Sequence, residues 1–136
     1  MIRDSNFKTR QVIVLALGHF AVDFYAGFLP PLIPILQKSL MISLSEVAFL
    51  VSVFSLSTTF SQTVFGYIFD RWHQISLLVL APLLAGISMT SLGLMNSYGS
   101  LLIILIFGGI SIAGFHPLGA ALVAVESGRR HSFGMS

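Results

Sequence analysis

The chain has 136 residues, of which 55% are hydrophobic and only 9% charged, and its formal net charge is +2. A water-soluble domain carries roughly 25% charged residues, so these side chains cannot cover a water-facing surface; a mean hydropathy of +0.92 suits the lipid bilayer instead. Cysteine is absent, which excludes a disulfide framework, a thiolate metal site and a cysteine nucleophile, and the few basic residues are spread among segment ends rather than gathered into a nucleic-acid-binding patch.

A membrane crossing takes about 20 mostly apolar residues, and the chain divides into four such stretches. The expected fold is an all-α membrane protein with four transmembrane helices. Residues 1–10 form a cytoplasmic N-terminal tail, and residues 11–127 the four-helix region. The first helix, 11–36, is too long for the core of a cleaved signal peptide. Pro30, Pro31 and Pro34 are expected to loosen its far end. The second, 44–69, opens on Ser43-Leu44-Ser45-Glu46, a capping-box pattern in which hydroxyl and carboxylate satisfy free amides at the helix entrance. The third, 75–95, has no ionisable group and is expected to be peripheral. The fourth is 100–125. Residues 128–136 read as a cytoplasmic loop ending in Ser132-Phe133-Gly134-Met135-Ser136, the apparent opening of a fifth helix, so truncation of a longer protein is expected.

Basic residues set the orientation. Arg3, Lys8 and Arg10 precede helix one, Arg71 lies between helices two and three, and Arg129 and Arg130 follow helix four, so one side holds six of the seven Lys and Arg residues. Only Lys38 falls on the other. The expected placement is a multi-pass protein of a bacterial-type inner membrane with a cytoplasmic N-terminus.

Three helices show polar or small-residue faces. At 100° per residue, Ala16, Asp23, Ala26, Gly27, Pro30 and Pro34 gather around His19, while Leu17, Phe24 and Phe28 lie opposite. The first face is expected to meet protein or water, the second lipid. A charge at the depth of Asp23 costs at least about 2.5–3.5 kcal/mol on insertion scales, which asks for a function; the plainer reading is that His19 and Asp23 simply pair. Helix two carries Ala48, Ser52, Ser55, Thr59, Gln62 and Gly66 on one side, as helix-packing glue or as ligand contacts. Helix four gathers Gly109, Ala113, Ala120 and Ala124 beside His116, which precedes Pro117. Helices one and four run in opposite directions, and at 1.5 Å per residue His19 and His116 both lie about 5 Å to the cytoplasmic side of their midpoints, in one layer. Whether they face each other, and whether His116 is functional or a structural hydrogen-bonding group, stays open at this point.

Gly66-Tyr67-Ile68-Phe69-Asp70-Arg71 places an acid at a helix C-terminus, where the dipole disfavours it. The pattern resembles the signature loop between the second and third helices of major facilitator superfamily transporters. The resemblance implies conformational control by Gly66, Asp70 and Arg71 through a helix in the other half of a twelve-helix protein. It lapses at Trp72-His73-Gln74, where the family usually has glycine and further basic residues. The run Gly18-His19-Phe20-Ala21-Val22-Asp23-Phe24-Tyr25-Ala26-Gly27-Phe28-Leu29-Pro30-Pro31-Leu32-Ile33-Pro34, with Gly114-Phe115-His116-Pro117, looks like fosmidomycin-resistance-type exporters of that superfamily. The helix-four arginine of many drug–proton antiporters is missing.

The expected function is secondary active transport by alternating access, with proton-coupled export of a small drug or metabolite. Asp23 and His19 are the candidate proton-coupling pair; His116, Gln62 and Tyr25 are candidate cavity-lining residues. The expected partners are a small-molecule substrate, protons, the lipid bilayer and the missing C-terminal helices of the same protein. No enzyme activity, cofactor, metal or nucleic-acid partner is expected. Three rivals remain: a small four-helix carrier working as an oligomer, an intramembrane acyltransferase-like enzyme with a histidine base, and a purely structural membrane subunit, which leaves mid-membrane Asp23 hard to explain.

Overall fold

The computed structural model describes residues 9–72 and 75–126. The tail up to Lys8, His73 and Gln74, and the segment 127–136 with Arg129, Arg130 and the expected fifth-helix opening lie outside the described residues. The rest is helical: α1 (Thr9–Ala26), α2 (Leu29–Leu40), α3 (Leu44–Trp72), α4 (Leu77–Thr90) extended by a 3₁₀ turn Ser91–Leu94, α5 (Tyr98–Ala113) and α6 (His116–Glu126). These form four apolar spans long enough to cross a membrane, Thr9–Leu40, Leu44–Trp72, Leu77–Leu94 and Tyr98–Val125. The chain is a multi-pass membrane protein of all-α class. Helix α1 is described from Thr9, so Arg10 is helical.

Two spans are broken, for the same reason. Pro30 and Pro31 have no N–H, so the carbonyls of Ala26 and Gly27 lose their helical donors. The chain tightens there, with the Gly27 amide donating to the Asp23 carbonyl at 2.9 Å and the Phe28 amide to the Tyr25 carbonyl at 3.2 Å. The prolines then occupy the first positions of α2, where a missing N–H costs nothing. The helix therefore resumes as far as Leu40 instead of fraying at the prolines. In the fourth span Pro117 deprives the Ala113 carbonyl in the same way. The Gly114 amide is shared between the Ile110 and Ser111 carbonyls, both at 3.2 Å, before α6 starts.

The end bearing Lys38 and Ser97 is tied by caps. The expected capping box is present: the Ser43 amide donates to Glu46 Oε2 at 2.7 Å, and the Glu46 amide to Ser43 Oγ at 3.3 Å. A second box starts α5, where the Ser100 amide donates to Ser97 Oγ at 3.2 Å and the Ser97 amide to Ser100 Oγ at 3.3 Å. The Tyr98 hydroxyl donates to the Glu46 carbonyl at 3.4 Å, linking the starts of α5 and α3. Met41 turns the chain between the first two spans in the left-handed region, φ 53°.

The fourth span is central. Helix α5 packs between α3 and α4, while α1 packs on α4 and α6. Leu101, Leu105, Ile112, Leu118, Val22 and Leu92 are completely buried. Small residues permit the close approach: a Cβ on Gly109 would lie 2.9 Å from the Phe54 carbonyl oxygen and 3.0 Å from Ser57 Cβ.

The third span corrects the expectation of a peripheral helix in part. Val79, Leu83 and Ile87 are exposed and suit lipid, but Ala81, Ala85, Ser88 and Met89 are buried against the core. On α1 the packed residues are Val22, with Gly18, Tyr25 and Ala26 half-buried, and His19 and Asp23 lie at the edge of that face. The α3 stripe is not interhelical glue at Ser52, whose hydroxyl donates to its own helix at the Ala48 carbonyl, 2.8 Å. Ser52, Ser55 and Thr59 are exposed. The helix packs instead through Val47, Leu50, Phe54 and the Ser57–Thr58 ridge.

Candidate functional site

One turn of α1 stacks His19 above Asp23, and the break in the fourth span brings His116 to them as the first residue of α6. His19 Nε2 lies 3.4 Å from Asp23 Oδ2, and His116 Nε2 lies 3.6 Å from Asp23 Oδ1. One carboxylate thus faces two imidazoles, one per oxygen, and the rings meet edge to face with centroids 5.0 Å apart. An ionised carboxylate only accepts, so both histidines would present an Nε2 proton to it. The separations exceed the usual N–H···O range of about 2.7–3.2 Å, and the cluster has room to tighten on a proton or an ion. His19 and Asp23 are more than half exposed, at 54% and 58%, while His116 is the shielded member at 23%.

Phe115 holds the two spans in register at this point. Its ring is buried and lies over Gly18 of α1 and Gly119 of α6, where an added Cβ would fall 2.6 Å and 2.7 Å from ring carbons. The His19 ring sits beside it, centroids 6.2 Å apart. The expectation that His19 and His116 share a layer is met by their contact. The wedge itself was not anticipated, because Gly18, Phe115 and Gly119 carry no polar signal.

The remaining candidates lie elsewhere. Tyr25 packs on α4, its hydroxyl oxygen 2.9 Å from where a Gly86 Cβ would be. Gly66 faces α6, with Pro117 Cβ 3.8 Å from its own would-be Cβ, and Gln62, one turn back, is half-buried on the same side of α3. Asp70 and Arg71 are exposed in the last turn of α3. Neither makes an ion pair among the described residues.

Two open cavities are formed by the described residues, near the α1–α2 break and at the arginine-bearing end. One of about 310 Å³ lies between the first two spans at the α1–α2 break, lined by Pro30, Ile33, Phe54, Ser55, Thr58 and Thr59 among others. Another of about 790 Å³ lies at the arginine-bearing end, between Arg10, Gln11, Val14, Ile75, Leu78 and Leu122. His116, Gln62 and Tyr25 line neither of these two; Tyr25 packs on α4 and His116 lies beside Asp23. As for metals, His19, Asp23 and His116 offer donor atoms that all lie within 4.8 Å of one another, a set that their sequence positions do not disclose.

Comparison with known proteins gives the setting. Residues 15–136 match the family model of the Major Facilitator Superfamily. Over 125 residues, 92% of this chain, the sequence is 20% identical to an uncharacterised MFS-type transporter, YfnC, of Bacillus subtilis (strain 168). The chain spans about a third of the length of that relative, 31%. No solved structure matches. A match that runs from α1 through the last described helix leaves one conclusion: the chain belongs to the Major Facilitator Superfamily.

Proposed function

We propose that these residues are the opening segment of a twelve-helix secondary transporter of the fosmidomycin-resistance type, which exports a small drug or metabolite in exchange for protons by alternating access. The observation that carries this reading is the convergence of His19, Asp23 and His116 where the first and fourth spans pack together, both of them broken helices. Interrupted helices at corresponding places in two repeats mark the substrate and ion pathway in transporters built this way, and intramembrane ionisable groups mark proton relays. Asp23, with His19, takes up and releases the proton. His116 shares the carboxylate, and Gln62 lies on the face of α3 that adjoins α6. Gly66 faces α6 at Pro117, and Gly66, Asp70 and Arg71 bias the conformational equilibrium through a helix in the other half of the transporter. The protein sits in a bacterial inner membrane with its N-terminus in the cytoplasm, as its basic residues favour; residues 1–10 and 128–136 lie on that side.

The test is flux in energised inverted vesicles containing the transporter that carries this segment. Fosmidomycin and a panel of small drugs are added while a pH-sensitive dye reports proton movement. A substrate should produce proton release, and Asp23→Asn should abolish uphill export without reducing the amount of inserted protein. Undiminished uphill export by Asp23→Asn would remove Asp23 from the coupling step, and export without proton movement would remove the proton.

A further inference from the structure

We propose that His19, Asp23 and His116 form a binding site for a borderline divalent transition metal, of which zinc is the model. The inference concerns the same cluster as the transport reading but does not depend on it. Three observations carry it. First, the donor set is two imidazoles and one carboxylate, and imidazole nitrogen suits Zn²⁺, Co²⁺ and Ni²⁺ where Mg²⁺ and Ca²⁺ take oxygen.

Second, the spacing is looser than that of a direct hydrogen-bonded triad and lies near that of ligands around a shared ion, though each histidine faces a different Asp23 oxygen. Bonds of about 2.1 Å in a tetrahedron put neighbouring donor atoms about 3.4 Å apart. The two carboxylate–imidazole separations are 3.4 and 3.6 Å, and all three donors fall within 4.8 Å. The remaining closure is a side-chain rotation, for which the exposed His19 ring is free on one side. Third, Asp23 presents a different oxygen to each histidine, so the carboxylate can swing to the ion without giving up its position between the rings. With three protein donors and an exposed face, one or more coordination positions stay open to water, as in zinc sites that are not purely structural. The ion would join α1 to α6, across the packing contact made by Phe115.

The experiment uses the purified, untagged chain in detergent, in a His73→Gln, His131→Gln background that removes the other two histidines. Zinc chloride is titrated by calorimetry and cobalt chloride by visible absorption. The expected result is one Zn²⁺ or Co²⁺ per chain, cobalt bands of a low-coordinate site that zinc displaces, and no response to Mg²⁺. Asp23→Asn and His116→Gln should each weaken binding at least tenfold, whereas Leu17→Ala on the opposite face of α1 should not. Zinc should also raise the melting temperature of the parent but not of His116→Gln, which separates site loss from misfolding. Binding that survives both substitutions, or an equal response to Mg²⁺, overturns the proposal. Metal binding with proton flux that ignores Asp23 would sink the transport reading alone; Asp23-dependent flux without metal binding would sink the metal site alone.

Discussion

Gly18→Ala is the substitution by which the structure exposes itself most. On an exposed helix the change is favourable by about 0.8–1 kcal/mol, because alanine restricts the unfolded backbone and glycine does not. Here the new methyl would lie 2.6 Å from Cζ and 2.7 Å from Cε2 of Phe115, against about 3.5–4.0 Å for an ordinary carbon contact. The ring has nowhere to retreat: a Cβ at Gly119 would lie 2.7 Å from its other edge, and the residue is 2% exposed. Roughly 1 Å of separation between α1 and α6 is required, and overpacking of this kind costs about 1–3 kcal/mol. The net expectation is destabilisation by up to about 2 kcal/mol.

Thermal and denaturant unfolding of the purified chain in detergent, followed by circular dichroism, measures this. A double-mutant cycle with Phe115→Leu identifies the cause. Shortening the ring alone should cost about 1 kcal/mol or somewhat more, but in the Gly18→Ala background it should cost less or nothing, giving a coupling of about 0.5–3 kcal/mol. A Gly18→Ala chain that gains the full helix-propensity term, with no coupling to Phe115, would show that the ring does not sit between these helices.

Four other substitutions follow from local geometry. Gly109→Ala should destabilise by about 1–2 kcal/mol, since its Cβ meets the rigid Phe54 backbone, while Gly99→Ala, with nothing within 4 Å, should be neutral or mildly stabilising in the same unfolding assay. Met41→Gly should stabilise by about 0.5–1 kcal/mol by relieving the left-handed backbone, at little cost in packing because the side chain is 89% exposed; an unchanged or lowered melting temperature would contradict this. Ser97→Ala removes the α5 cap and should cost about 1 kcal/mol, with faster amide exchange at Ser100 as the local readout.

How far the sequence could be read follows from the solvent. Length and apolarity locate membrane spans directly, and 44–69, 75–95 and 100–125 differ from the observed spans by only a few residues at each end. The sequence places the first span over 11–36 with its far end loosened by prolines, whereas Pro30 and Pro31 open a second helix that carries it to Leu40. The packed faces were less legible. Lipid is as apolar as leucine, so hydropathy does not separate buried Val22 from exposed Leu17 and Phe20 on the same helix. The polar face of α1 was found because charge in a membrane is conspicuous. Its depth match with His116 was readable from helix direction, but their mutual orientation was not, since azimuth depends on how Gly18 and Gly119 accept the Phe115 ring. The donor set for a metal was hidden for the same reason: one of its three members comes from another span.

The contact between the first and fourth spans at Asp23 and His116 is the point on which the rest depends, and the chain's lack of cysteine makes it directly measurable. His19→Cys and His116→Cys are introduced together, the chain is treated in membranes with a short thiol-specific bifunctional cross-linker, and the peptides are identified by mass spectrometry. The histidine rings are 5.0 Å apart, so an efficient link between the α1 and α6 peptides is expected, with none for Leu17→Cys paired with His116→Cys. Equal linking of both pairs, or a link only from Leu17, would place the polar face of α1 away from α6 and dissolve the cluster.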